Sequence, residues 1–109
     1  MPERIGTYAE FWPYYLRQHA QPATRALHYV ATLGVLFIFG LALVSRQWLL
    51  MLIAPVVGYA FAWIGHFAFE GNRPATFGHP LWSLISDVRM LFLFLVGRLR
   101  PELERAGLS

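Results

Sequence analysis

The sequence contains no cysteine and no lysine, and only six acidic residues among its 109. Without cysteine it has no disulfide, no thiolate metal site and no cysteine nucleophile. Charged residues make up 14% of the chain, against about 25% in an average soluble domain, so the groups that keep a surface wet are scarce. The nine basic residues are all arginine and give a net charge of +3. They are scattered, so no basic stripe points to a nucleic-acid partner. A Gly-rich phosphate loop, a nucleophile elbow and the kinase elements are all missing. The first residues also lack the charged start and apolar run of a signal peptide, so the N-terminus is expected to be retained.

What the chain has in quantity is apolar and aromatic. Hydrophobic residues reach 57% and aromatics 17%. From Leu27 to Val44, and again from Trp48 to Gly65, there is no charge. Each run would span about 27 Å as a helix, close to the roughly 30 Å of a bilayer's hydrocarbon core. Ser45-Arg46-Gln47 between them leaves room only for an antiparallel hairpin. Pro55 is expected to kink the second span, and Ala54, Gly58 and Ala62 form a small-residue stripe suited to close helix contact.

Ahead of the hairpin, Thr7-Tyr-Ala-Glu10 fits a capping box. The helix it starts carries Tyr8, Phe11, Trp12, Tyr15 and Leu16 along one side. That aromatic face suits the headgroup zone of a membrane, or equally an amphipathic helix packed on the bundle. After a polar connection from Glu70 to His79, Pro80 opens a third helix that holds Asp87 and Arg89. The polar tail from Arg98 onward is expected in water. The fold class is therefore all-α: one domain over 1–109, a small helical transmembrane bundle. Its parts are an N-terminal interfacial helix over 8–19, a spanning hairpin over 24–45 and 47–68, and a third membrane-embedded helix over 80–98. The expected location is multi-pass in a membrane, with the bilayer as partner and self-association left open.

The four histidines, His19, His28, His66 and His79, all fall at the end of the bundle away from Arg46. In the hairpin His28 and His66 lie at nearly the same depth. Neutral imidazole is the commonest protein ligand for zinc, copper and iron. Glu70 follows His66 at i, i+4 and shares its face if the helix continues. Such a set keeps an open position, which suits non-haem iron better than a closed structural zinc. Facing histidines also fit axial ligation of a haem. Asp87 inside an apolar helix is expensive, so it is expected to face the interior with a partner such as Arg89 or Arg25. Ser83 and Ser86 look like hydrogen-bond filler, not a hydrolase nucleophile.

Tyr15-Leu-Arg-Gln-His19-Ala-Gln-Pro22-Ala-Thr-Arg25-Ala-Leu-His28-Tyr29, with Trp63-Ile-Gly65-His66-Phe-Ala-Phe-Glu70-Gly-Asn72-Arg73-Pro74-Ala75-Thr76-Phe77, resembles the Mpo-like family of small membrane proteins. Pro80-Leu-Trp82-Ser83-Leu-Ile-Ser-Asp87-Val-Arg-Met90 looks like its short bacterial branch, which implies a bacterial inner membrane. The characterised member is an iron(II)-dependent dioxygenase that shortens 2-hydroxy fatty acids by one carbon. The resemblance implies that His19, His28 and His66 bind Fe2+, with His79 a further candidate and Glu70 a ligand or the partner of one. It implies a lipid or fatty-acid substrate whose carboxylate pairs with Arg25 or Arg73. Glu70 and Arg73 are the candidate catalytic residues, and Arg25, Arg73 and Asp87 the candidate substrate contacts. The chain departs from the family at Thr24, where Asn is usual, and at Ala31, where Gly is usual. The competing reading is a non-catalytic membrane module that binds lipid or a partner membrane protein.

Overall fold

The computed structural model describes residues 5–72 and 78–108. Among them every regular element is helical: α1 Tyr8–Arg17, α2 Pro22–Ser45, α3 Leu50–Ile64 running on as a π-helical turn Gly65–Glu70, α4 Pro80–Leu95 and α5 Leu99–Arg105. The all-α class is the one the sequence implies.

α1 begins at the expected capping box. Thr7 Oγ1 accepts the Glu10 amide at 3.3 Å, and the Glu10 carboxylate accepts the Thr7 and Gly6 amides. Pro13 neither ends nor restarts the helix. α2 starts at Pro22, whose missing N–H is unneeded in a first turn. It stops at Arg46, which is left-handed with φ 58°, and the Arg46 and Gln47 amides close back on the Ala42 carbonyl. α3 continues across Pro55.

α2 and α3 pack along one another as the antiparallel hairpin. The small-residue stripe is consumed inside it: Ala54, Gly58 and Ala62 are the buried residues of α3. A Cβ on Gly58 would come within 2.6 Å of Val35 Cγ2. Gly58→Leu is therefore expected to cost about 1–3 kcal/mol as an overpacked contact, read as a lower melting temperature in detergent. Gly40→Leu is the control, since nothing lies within 4 Å of a Cβ there. Residues Pro22–Ser45 and Leu50–Glu70 are long and apolar enough to cross a membrane. Their large side chains point outward along most of their length, Phe37, Val44, Leu52 and Val56 among them.

The remaining helices form a cap at the hairpin's open end. Phe11, Trp12, Tyr15 and Leu16 of α1 pack with Met90 of α4 and with Leu99, Leu103 and Ala106 in and after α5. The aromatic face of α1 is thus covered by protein. The polar tail also differs from expectation. Leu99, Leu103 and Ala106 recur at helical spacing and dock on α1, where Glu102 accepts the Trp12 Nε1–H at 2.9 Å. Arg89 lies over the Trp12 ring at 4.1 Å, a cation–π contact that holds α4 to α1.

Candidate metal centre

Three of the four histidines meet where α1 ends, α2 begins and α3 turns π-helical. His19, His28 and His66 are all buried, with one ring nitrogen of each within 4.8 Å of the others. Their ring centroids are 4.3, 4.5 and 5.0 Å apart, and each pair is close to perpendicular.

The hydrogen bonds around the rings fix their tautomers. His19 Nδ1 lies 2.7 Å from the Tyr15 carbonyl, and His28 Nδ1 lies 3.0 Å from the Thr24 carbonyl. A carbonyl only accepts, so both Nδ1 atoms carry the hydrogen. His66 Nδ1 lies 2.7 Å from Asn72 Oδ1. The orientation of that amide follows from its other end, where Asn72 Nδ2 donates to the Gln18 carbonyl at 3.1 Å and to Gln18 Oε1 at 3.0 Å. Asn72 Oδ1 therefore accepts from His66. All three imidazoles are left with a bare lone pair at Nε2.

Two of those lone pairs face each other, with His19 Nε2 and His28 Nε2 3.0 Å apart. Acceptor against acceptor at that distance is repulsive unless a cation lies between them. A proton is a poor candidate, because burial, and then His28 and His66, hold the His19 imidazole well below its usual pKa. A metal fits: bonds of about 2.1 Å set ligand nitrogens about 3.0 Å apart at a right angle and about 3.4 Å apart in a tetrahedron. The His28 and His66 ring centroids, 5.0 Å apart, are also too close for a haem plane to fit between the two imidazoles. The donor set is one of neutral imidazoles each oriented from behind, as metal-binding histidines commonly are.

The local sequence explains the placement. His19 and His28 each bond the carbonyl four residues earlier. Arg25 Nη1 donates to the carbonyls of His19 and Ala20, at 2.8 and 2.9 Å, and so ties down the turn that carries His19. The π-helical turn presents His66. Such turns are rare and recur at functional sites. Gly71, left-handed with φ 69°, then ends the helix and brings Asn72 back onto His66. Thr24, one of the two departures from the family pattern, is buried and donates from Oγ1 to the Gly65 carbonyl at 3.4 Å.

The other expected residues are dispersed. Glu70 accepts the backbone amide of Gln21 and so caps the start of α2; its carboxylate does not join the cluster of three ring nitrogens, though its charge is felt at His66. Helical i, i+4 spacing suggested a shared face, but the π turn and Gly71 redirect the carboxylate. His79 stacks on Trp82 at 5.3 Å and meets Phe11 edge-on at 5.2 Å, away from the histidine cluster. Arg73 lies outside the described residues. Asp87 is partnered by the Tyr15 hydroxyl, not by Arg25 or Arg89. Burial, and next the Asp87 charge, push the Tyr15 phenol well up, so Tyr15 remains the donor. The Tyr15 ring lies 4.1 Å from that of His19. Residue type and spacing alone give Tyr15, Gln18 and Asn72 no role at the histidine cluster; only their nearness to His19 and His66 along the chain points to them.

A cleft of about 370 Å³ leads away from the cluster. His28, Asp87 and Thr32 supply polar groups to its wall, and the rest is almost wholly apolar, reaching Phe39 and Pro55 between α2, α3 and α4. At the roughly 30 Å³ that a water molecule takes in the liquid, that volume suits about a dozen methylene groups.

An apolar helical hairpin closed at one end by an aromatic cap, with three buried histidines beneath the cap, defines a small helical protein whose histidine cluster could hold a metal ion beside an apolar cleft. The sequence matches the family described as 2-hydroxy-palmitic acid dioxygenase Mpo1-like over residues 5–99, and the chain belongs to it. No curated protein and no solved structure matches.

Proposed function

We propose that this protein is a membrane-embedded, iron(II)-dependent dioxygenase that removes one carbon from a 2-hydroxy fatty acid. The observation that carries the proposal is the convergence of three Nε2 lone pairs, each fixed by a bonded Nδ1–H, at one end of an apolar cleft. Imidazole takes zinc and copper as readily as iron; the dioxygenase name of the family supports a redox-active metal, and our reading is iron. Iron(II) held by His19, His28 and His66 supplies the redox centre at which dioxygen becomes reactive.

The overall reaction balances with one dioxygen. The bond between the carboxyl carbon and the hydroxyl-bearing carbon breaks. The first leaves as carbon dioxide, the second becomes the new carboxyl carbon, and one water forms.

The chain's own residues bind and orient. The cleft takes the alkyl chain, which enters sideways from the bilayer that the hairpin crosses. Asp87, held by Tyr15, has lone pairs left to accept the substrate hydroxyl, a group that an ordinary fatty acid lacks. Arg25 keeps the His19 turn in place, and Glu70 does the same for the start of α2. Arg73 follows Asn72 directly in the chain, and we assign the substrate carboxylate to it.

The test is oxygen uptake by protein purified without oxygen and loaded with iron(II). With 2-hydroxyhexadecanoic acid, uptake and release of pentadecanoic acid are expected; with hexadecanoic acid, neither. Iron-loaded protein that consumes no oxygen with the hydroxy acid would remove the catalytic reading and favour a lipid-binding module.

A further inference from the structure

α4 is built inside out. Its buried side holds Ser83 and Ser86 as well as Met90 and Leu91, and Asp87 is bonded to Tyr15. Tyr8 and Ser86 share a hydrogen bond of 2.9 Å across the α1–α4 contact. Meanwhile Leu81, Leu84, Ile85, Val88, Phe92 and Leu95 are all exposed. Their spacing of three and four residues places them on a single face running the length of the helix. A helix with its polar side covered and its apolar side bare needs an apolar solvent on the bare side.

The cap shows how far α4 enters that solvent. α1 lies along the N-terminal part of α4, through Trp82, Ser86 and Asp87, and α5 packs near its C-terminal end. Both covering helices expose charge: Glu10 and Arg17 on α1, Glu104 and Arg105 on α5. Were α4 to cross the bilayer, these charges would be carried into hydrocarbon alongside it, which is expensive. Past its end, Arg98 and Arg100 are exposed, placed for headgroup phosphates. Its apolar stripe is of one kind with the bare faces of α2 and α3, which stand beside it around the cleft.

From these observations we infer that α4 does not span but lies flat in the membrane interface, its Leu81-to-Leu95 stripe set into the acyl boundary of the bilayer and α1 and α5 stacked on its water side. The inference rests on the membrane reading of the hairpin. It puts Leu84, Asp87 and Val88, the α4 wall of the cleft, at headgroup level. A fatty acid whose carboxyl group stays at the interface then meets the histidine end of the cleft without its head crossing hydrocarbon.

The absence of cysteine permits a direct test. Single cysteines at Leu81, Val88 and Leu95, and at Val30, Phe37 and Val44 on α2, are spin-labelled in the full chain in phosphatidylcholine vesicles. Depth is read from collisions with oxygen and with a water-soluble nickel complex. All six positions are exposed, so the fold should tolerate them. The α4 labels are expected to share one shallow depth within about 5 Å, one helical turn. The α2 labels should differ steadily, by up to about 21 Å from Val30 to Val44. A similar steady gradient along α4 would mean that it crosses, and would overturn the inference alone. Labels on α4 fully open to the nickel complex would overturn it too, by leaving the stripe in water. No gradient along α2 would overturn the membrane reading itself, and this inference with it.

Discussion

Loaded with iron(II) and freed of loose metal, the wild-type protein is expected to hold about one iron per chain, and His66→Ala to hold almost none. The proposed ligand set is three imidazoles, and no carboxylate among the described residues joins their cluster of ring nitrogens. Removing His66 leaves two ligands and also frees Asn72, which His66 now engages through Nδ1. Changing a residue that only orients a ligand typically costs 10–100-fold in metal affinity, so losing the ligand itself should cost more. The same reasoning grades a series. Asn72→Ala keeps all three Nε2 donors and should weaken binding by about 10–100-fold. His79→Ala should bind iron as the wild type does, because His79 stacks on Trp82 and lies outside the cluster. Metal analysis after chelator competition checks all three. Stoichiometric, tightly held iron in His66→Ala would end the assignment, and loss of iron in His79→Ala would bring a fourth histidine into it.

Much of this site is visible in the sequence because a hairpin converts distance from its turn into depth. With Arg46 at the turn, His28 and His66 had to lie near one level, and they do, with ring centroids 5.0 Å apart. His19 joins them because Gln21-Pro22 ends the preceding segment at that same level. What the sequence hides is whatever depends on departures from α-helical geometry. The π-helical turn at Gly65–Glu70 has no signature in residue type, and the i, i+4 argument for Glu70 assumed a regular helix there. A carboxylate in an apolar helix suggests a charged partner, yet the donor to Asp87 is the hydroxyl of Tyr15, a residue whose sequence context shows only an aromatic face. The family resemblance implies Arg25 or Arg73 for a substrate carboxylate, but the Arg25 guanidinium donates to the His19 and Ala20 carbonyls in the turn between α1 and α2. The spacing of Leu99 and Leu103 carries the docking of α5, but the charges around them have the look of a solvated tail.

Among substitutions that leave the three histidines in place, Gly65→Leu is expected to do the most damage. Gly65 is the point where the π-helical turn rests on α2. A Cβ there would sit 3.1 Å from Thr24 Cγ2 and 3.3 Å from Thr24 Cα, with Leu27 Cδ1 at 3.4 Å. The Thr24 contact includes backbone, which cannot rotate out of the way as a side chain can. Thr24 is also the residue whose carbonyl orients His28 and whose hydroxyl bonds Gly65. A side chain forced into this gap must push the His66 turn away from the His28 turn, and the geometry of the three nitrogens opens with it. Misplacement by about 1 Å can cost on the order of a hundredfold in turnover, and a fall of that order in oxygen uptake is expected here, with iron affinity lowered as well. Gly65→Ala, which needs Thr24 to yield by only a few tenths of an ångström, should fall between. Gly34→Leu, with nothing within 4 Å of its Cβ, should leave affinity and turnover unchanged. Comparing melting temperature with iron affinity separates the causes. A variant that melts close to the wild type but binds iron weakly has lost alignment. Wild-type affinity in Gly65→Leu would show that the Gly65–Thr24 contact does not set the spacing of His28 and His66.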